Sequence, residues 1–455
     1  MLVDVLLPLN FDQTFTYKID QKAEVGNIVL VSFKNKEIIG VIWSLNSESL
    51  KKGIKIKKII KILDFPAFSI NKINFIKQMS NYNLIKKGLV LNLFLYKNGL
   101  KSFEKGLKKI NDFSEFKPKI NLNKSLNFEQ EDILKNIEKK IDFKKYSTNL
   151  LQGIPGSGKT HIYFEIIKNA LEENYQVLVL LPEKGLSEQI AKRFKDFFQY
   201  EPAIWHSGIK DKIKKKIWKG VLKNEIKLIL GARSALFLPF QDLKLIIIDE
   251  EHDASYKQED GISFNTRDMA ILQASIDQFP AFLVSATPSV ETFYNSKNKK
   301  YNYFSLKNRF NQSELPEIQT IKLTKENISE NNFISKLVVK EVKNYLKTGD
   351  QVLFFLNRRG HSTFVFCYKC MKRLECPKCS VGLVYHKRDN TALCHYCNYS
   401  TKLERQCKDN SKCNFKFYGL GLEKVFEEIK NKFKGYNADI LSSDLTEYNT
   451  FSDKL

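Results

Sequence analysis

Leu150-Leu151-Gln152-Gly153-Ile154-Pro155-Gly156-Ser157-Gly158-Lys159-Thr160-His161 is the stretch on which the reading of the whole chain turns. The two leucines end a short apolar strand. The glycines after them let the backbone fold its N–H groups around phosphate oxygens, and a helix opening near His161 adds the positive end of its dipole. Lys159 supplies a point charge for β- and γ-phosphates, and Thr160 a hydroxyl for Mg²⁺. Gly153, Gly156, Gly158, Lys159 and Thr160 are therefore candidate nucleotide-binding positions. The competing reading is a chance glycine-rich turn, and the strand–loop–helix order weighs against it.

Outward from this loop, continuous apolar runs alternate with helical patterns. Val177-Leu178-Val179-Leu180-Leu181, Leu228-Ile229-Leu230, Leu245-Ile246-Ile247-Ile248 and Phe282-Leu283-Val284 lack the polar alternation of half-exposed strands. Such runs between helices predict a parallel sheet covered on both faces. Asp249-Glu250-Glu251-His252 follows the third run. An acidic cluster is ordinarily a solvated surface, but carboxylates at a strand's C-terminal edge can serve a nucleotide. Asp249 is assigned to Mg²⁺, and Glu250 to orienting and deprotonating the attacking water. Ser285-Ala286-Thr287 ends the next strand.

The loop, the acids and this triplet together resemble superfamily 2 helicases, whose two RecA-like lobes close on ATP. The match narrows through Trp205-His206-Ser207-Gly208, Gly231-Ala232-Arg233-Ser234, Asp253, Ser255-Tyr256-Lys257-Gln258-Glu259, Thr266-Arg267-Asp268 and Leu356-Asn357-Arg358-Arg359-Gly360. These resemble the PriA family of replication-restart helicases across nearly the whole chain. The resemblance implies ATP-dependent 3′-to-5′ unwinding of DNA, recognition of stalled forks and promotion of primosome assembly. It implies forked and single-stranded DNA as partners, with primosome proteins, the replicative helicase loader and single-strand-binding protein. By position, Gln130 in Leu126-Asn127-Phe128-Glu129-Gln130 resembles the glutamine that reads adenine. Tyr256 and Phe264 resemble aromatics of a loop that senses single-stranded DNA, where stacking is worth about 1–3 kcal/mol per base; core packing is the alternative. Arg267 is counted with these DNA-contacting residues.

Charge and cysteine placement agree with that class. Lys plus Arg number 74 against 51 acids, a net charge of +23, which favours a polyanionic partner. A general bias of the sequence toward Lys, Ile, Asn and Phe is the competing explanation. No targeting segment or membrane-length apolar run is apparent, so a cytoplasmic location is expected. All eight cysteines lie between Cys367 and Cys413. In a reducing compartment this clustering points to metal rather than disulfides. Cys367/Cys370, Cys376/Cys379 and Cys394/Cys397 each have two intervening residues, and Cys407/Cys413 has five. Eight thiolates make two Cys₄ sites for two Zn²⁺, with His386 and His395 as possible substitutes for the widely spaced pair. The family resemblance implies nesting, with 367/370 and 407/413 on one ion and 376/379 and 394/397 on the other.

The fold expected is α/β, with RecA-like parallel-sheet motor lobes, a small N-terminal β-rich domain and a zinc-binding insertion. Residues 1–100 are read as a DNA 3′-end-binding domain by resemblance, through Leu7-Pro8, Thr14-Phe15-Thr16-Tyr17, Gly26-Asn27-Ile28-Val29 and Gly40-Val41-Ile42-Trp43. Phe15 and Tyr17 are expected to stack on a terminal nucleotide. Thr16 stands where the family usually has aspartate, keeping a hydrogen bond but no charge. Residues 101–124 read as a linker, too short for the winged-helix domain that relatives place there. The first lobe is expected at 125–310, the start of a second at 311–360 with a strand at Val352–Leu356, the double-zinc module at 361–418, and an incomplete continuation at 419–455. After Gly419-Leu420-Gly421-Leu422-Glu423 neither the family's coupling motif nor its arginine-rich motif is found. A fork-binding scaffold without motor activity is therefore the alternative reading.

Overall fold

The computed structural model describes residues 1–45, 56–95, 126–182, 188–310, 316–322, 333–356, 363–367, 372–386, 391–394, 396–402, 415–418 and 422–440. The chain divides into two compact units, Met1–Leu315 and Pro316–Leu455. The expected linker at 101–124 lies outside the described residues.

The first unit opens with an antiparallel sheet of β1 (Leu2–Leu6), β2 (Phe15–Lys18), β3 (Ile28–Phe33), β4 (Lys36–Leu45) and β5 (Ile59–Ile62), in the order β2-β1-β4-β3-β5. The β3–β4 turn places Lys34 and Asn35 at φ 44° and 61°, the left-handed conformation that matches hairpin twist. Helices α1 (Ile70–Asn83) and α2 (Lys87–Phe94) follow, α1 capped by the Ser69 side chain.

Seven parallel strands build the lobe that follows: β6 (Ser147–Gly153), β7 (Gln176–Leu180), β8 (Ala203–Trp205), β9 (Leu228–Gly231), β10 (Leu243–Asp249), then, after a hairpin of β11 (Lys257–Gln258) and β12 (Phe264–Asn265), β13 (Pro280–Ser285) and β14 (Asn302–Leu306). Their order is β14-β6-β13-β10-β7-β9-β8. Val177, Val179, Ile246, Ile248, Phe282 and Val284 are fully buried, as expected of a sheet covered on both sides. Helices α3 (Phe128–Lys140), α4 (Lys159–Glu172), α5 (Glu188–Phe198), α6 (Asp211–Leu222), α7 (Thr266–Asp277) and α8 (Val290–Lys297) complete the lobe.

The N-terminal region and the lobe share one core. Phe94 meets Phe237 edge-on at 5.3 Å, Phe237 meets Phe264 at 5.4 Å, and Phe65 meets Trp218 at 6.0 Å. Burying these rings against each other fixes the N-terminal sheet on the lobe more firmly than a boundary near residue 100 implies.

In the second unit, α9 (Lys336–Lys347) is capped by the Ser335 side chain. The Glu428 carboxylate of α10 (Leu422–Lys432) accepts from Phe333 N (2.6 Å) and Ile334 N (3.3 Å). The expected strand at Val352–Leu356 forms no ladder among the described residues; Leu353 and Phe355 are 81% and 82% exposed. A cysteine-bearing antiparallel sheet comprises β15 (Thr363–Cys367), β16 (Lys372–Arg373), β17 (Val384–His386), β18 (Thr391–Leu393), β19 (Ser400–Lys402) and β20 (Phe415–Tyr418). No helix among the described residues is long and apolar enough to cross a membrane.

Candidate active site and metal centre

The phosphate loop leaves β6 at Gly153 and enters α4 at Lys159. Gly156 and Gly158 adopt φ +80° and +82°. The left-handed φ favours glycine at Gly158, and a side chain there would also crowd the Gln130 amide. The Lys159 ammonium donates to Gly153 O at 2.8 Å; burial lowers its pKa, opposed by the charges of Glu250 and Asp249.

The acids converge on this loop because β10 lies two strands from β6, across β13. Asp249 Oδ2 accepts from the Tyr163 hydroxyl at 3.1 Å and Oδ1 from Glu250 N at 3.0 Å. Burial, then the Glu250 charge, raises the Asp249 pKa to about 6. Glu250 takes a left-handed φ of 47°, a conformation costly to a side chain and kept here at the carboxylate edge. His252 Nδ1 lies 2.8 Å from Ser285 Oγ and 3.6 Å from Glu250 Oε2, joining the acidic motif to the next strand. The glycines of the loop, the Lys159 ammonium, the Thr160 hydroxyl and the Asp249 carboxylate make a donor set that fits a magnesium–nucleotide complex.

Several residues expected to touch ligand are structural. Gln130 is fully buried: its Oε1 accepts from Asn127 N at 3.1 Å, closing a capping box, and its Nε2 donates to Ser157 O at 3.0 Å. It braces the phosphate loop, and its burial leaves no amide edge open to an adenine. Tyr256 and Phe264 are 1% and 3% exposed, so neither ring presents a face for base stacking. The Tyr256 hydroxyl donates to a pair of carbonyls, Asp249 O at 2.7 Å and Leu180 O at 2.9 Å, pinning the ends of β10 and β7. Phe264 belongs to the core shared with the N-terminal region. Arg267 is turned inward: Nη1 lies 3.0 Å from Glu251 Oε2 and 2.8 Å from Ser289 Oγ, and Nε donates to Asp268 Oδ1 at 2.9 Å. The expectation of DNA contact for these three is corrected by their burial.

In the N-terminal sheet, Tyr17 is a core residue at 4% exposure, its hydroxyl donating to Ser32 O at 3.2 Å, and the expected stacking by Tyr17 is corrected likewise. Phe15 is half-buried, with Phe11 at 5.7 Å and Phe33 at 4.8 Å edge-on. Thr16 Oγ1 donates to Asp4 Oδ1 at 2.8 Å, and Ser44 Oγ to Asp4 Oδ2 at 3.0 Å. A carboxylate thus stands beside Thr16 although none is encoded at that position.

Cys376, Cys379, Cys394 and Cys397 bring their sulfurs within 4.8 Å of one another. Cys376 Sγ lies 3.9 Å from Cys379 Sγ and 3.5 Å from Cys397 Sγ. Four thiolates about 2.3 Å from one zinc in a tetrahedron stand about 3.8 Å apart, so the quartet fits Zn²⁺. Backbone N–H groups, that of Cys397 foremost, lower the Cys394 thiol's pKa, while the neighbouring sulfurs, that of Cys397 first, raise that of Cys379. Cys367 is buried in β15. Cys370, Cys407, Cys413 and His395 lie outside the described residues.

Contacts that sequence patterns missed include Tyr163 on Asp249, His252 on Ser285, and the carboxylate of Glu251. That carboxylate is buried and accepts from Ser289 N (2.6 Å), Ser289 Oγ (3.1 Å) and Thr292 Oγ1 (3.0 Å) besides Arg267. Two acids in one run point oppositely, Glu250 to the site and Glu251 to the core; no periodicity distinguishes them.

Three family models match the chain: a 3′ DNA-binding domain over residues 4–96, the res subunit of type III restriction enzymes over 123–290, and the Cys-rich region of the PriA DNA helicase over 376–402. The replication restart protein PriA of Rickettsia conorii is 37% identical over 97% of this chain and 67% of its own length. That of Rickettsia typhi is 37% identical over the same shares. PriA of Bacillus subtilis is 33% identical over 72% of this chain and 41% of its own length. With the parallel-sheet lobe, the phosphate loop facing its acids and the cysteine quartet in place, the chain belongs to the PriA family of replication-restart DNA helicases.

Proposed function

We propose that the first lobe binds magnesium–ATP and hydrolyses it to drive 3′-to-5′ movement on DNA at stalled forks. The observation that carries this reading is the convergence, at one edge of a parallel sheet, of the loop after β6 with Asp249 and Glu250 after β10. Lys159 is placed to neutralise charge on the β- and γ-phosphates, and Thr160 and Asp249 would hold the metal. Magnesium, when bound, offsets charge developing on the transferred phosphoryl group. Glu250 orients and deprotonates water, and His252 positions Glu250 while touching Ser285, so that a change at the nucleotide is passed to the neighbouring strand.

Family membership supports the wider reading: fork and single-stranded DNA as substrates, and primosome proteins, the replicative helicase loader and single-strand-binding protein as partners. Phe15 and Thr16, with Asp4 beside them, are proposed to meet a DNA 3′ end. Zinc in the Cys376/379/394/397 quartet is structural, since four protein ligands leave no open coordination position; the outer cysteines are proposed to hold a second ion. ATP hydrolysis by the chain on forked DNA, with Lys159→Ala as background, tests the motor. Turnover above that background is expected. Retained fork binding with no turnover would favour the scaffold reading instead.

A further inference from the structure

Gln130 is occupied in bracing the loop, which leaves open what meets the nucleoside end of a bound nucleotide. Sheet order gives the direction in which to look. Asp249 and Glu250 stand on the β13–β10 side of β6, and the terminal phosphate must face them. The nucleoside, at the other end of the triphosphate, then leaves on the opposite side, over the C-terminal end of β14.

That position is built. Leu306 of β14 pairs with Gly153, and Ile154 N donates to Leu306 O at 3.4 Å. The chain beyond is clamped to α3, where the Glu129 carboxylate accepts from Lys307 N at 2.7 Å and Asn308 N at 3.3 Å. It then lies against the phosphate loop. Phe310 N donates to Gly156 O at 2.9 Å, and the Arg309 stem passes 3.8 Å from where a Cβ on Gly156 would stand. This seating leaves the Phe310 ring 38% exposed, 5.9 Å from the His161 ring in the first turn of α4. An apolar ring held by its own backbone at the flank of a phosphate loop, and kept out of the core, has a face to offer a flat ligand.

We propose that the segment Leu306–Phe310 forms the nucleoside subsite, with Phe310 stacking on the purine and Arg309 fixing the ring's position against Gly156. The proposal rests on the reading of the loop as an ATP site. Because every base has a π-face, this subsite accepts bases broadly and does not discriminate by hydrogen bonding.

The test compares magnesium–ATP with inorganic tripolyphosphate, which lacks the nucleoside, on the full chain. Phe310→Ala is expected to weaken ATP about tenfold and leave tripolyphosphate unchanged, since a lost stacking contact costs about that factor. Unchanged ATP affinity, or equal weakening of both ligands, overturns the subsite. So does loss of ATP affinity in Phe128→Ala but not in Phe310→Ala, because Phe128, 88% exposed beside Glu129, is the rival stacking ring. If the unsubstituted chain binds neither ligand, it is the ATP-site reading that fails.

Discussion

Arg267 and Glu251 form a buried ion pair, with Nη1 3.0 Å from Oε2 and side-chain exposures of 12% and 0%. The pair lies directly behind Asp249 and Glu250, the proposed catalytic acids: Glu250 precedes Glu251 in the chain, and Ser289, which Arg267 also holds, caps α8. The acidic motif, α7 and the segment after Ser285 are therefore tied at one point.

Removing Arg267 strands the Glu251 carboxylate in the core. Arg267→Ala is expected to destabilise the first unit by about 3 kcal/mol, in the range measured when one partner of a buried pair is lost. Thermal unfolding would check this, with single-stranded DNA affinity measured below the melting temperature in parallel. A variant of unchanged stability that binds DNA weakly would restore Arg267 as a DNA contact.

Gln130 gives a second discriminating case. Gln130→Ala removes the capping box and the brace on Ser157 together, a loss of about 1–2 kcal/mol. Nucleotide affinity should fall because the loop loosens, and it should fall equally for ATP and GTP. Selective loss of ATP would show that the amide reads adenine after all.

How much of this was legible beforehand divides along physical lines. The strands at Val177, Leu228, Leu245 and Phe282 were readable because both sheet faces are buried, and burial on both faces writes itself as an unbroken apolar run. β14 was not: it is an edge strand whose Tyr303 is 40% exposed, so its apolar run is interrupted and nothing in the pattern marks the segment that follows. The placement of the 153–160 loop beside Asp249 and the clustering of the inner cysteines were legible because such patterns carry fixed spacing. The directions in which Tyr17, Tyr256, Phe264 and Arg267 point were not, since an aromatic or arginine reads the same whether it faces solvent or core. Long-range packing decides that: Tyr256 and Phe264 turn into the core shared with α1 and α2, Tyr17 into the core of the N-terminal sheet, and Arg267 onto Glu251.

The cysteine quartet predicts separable behaviour of the two units. Metal analysis should find two zinc ions per chain, and Cys394→Ser should remove one, because three thiolates no longer close a tetrahedron. Nucleotide binding in the first unit should persist in that variant, as none of its residues contributes to the quartet. Finding one ion in the unsubstituted chain would mean that the outer cysteines do not ligate.

Asp249 should produce two opposite trends with pH. Its folded pKa of about 6 lies above the ordinary carboxylate value, raised first by burial and then by Glu250. The native state therefore binds this proton more tightly than the unfolded chain, whose aspartates titrate near about 3.9. Stability from this group is fully present below that unfolded value and is lost as pH rises through about 6. Asp249→Asn, which keeps the volume and drops the charge, should melt higher than the unsubstituted chain at pH 7.5, with the difference shrinking towards pH 4. Magnesium needs the carboxylate ionised, so metal-dependent nucleotide affinity should instead fall as pH drops below about 6, approaching tenfold per unit. A melting difference that does not change with pH would show that Asp249 is not held at a raised pKa. It would also leave any acid loss of nucleotide affinity to a different group.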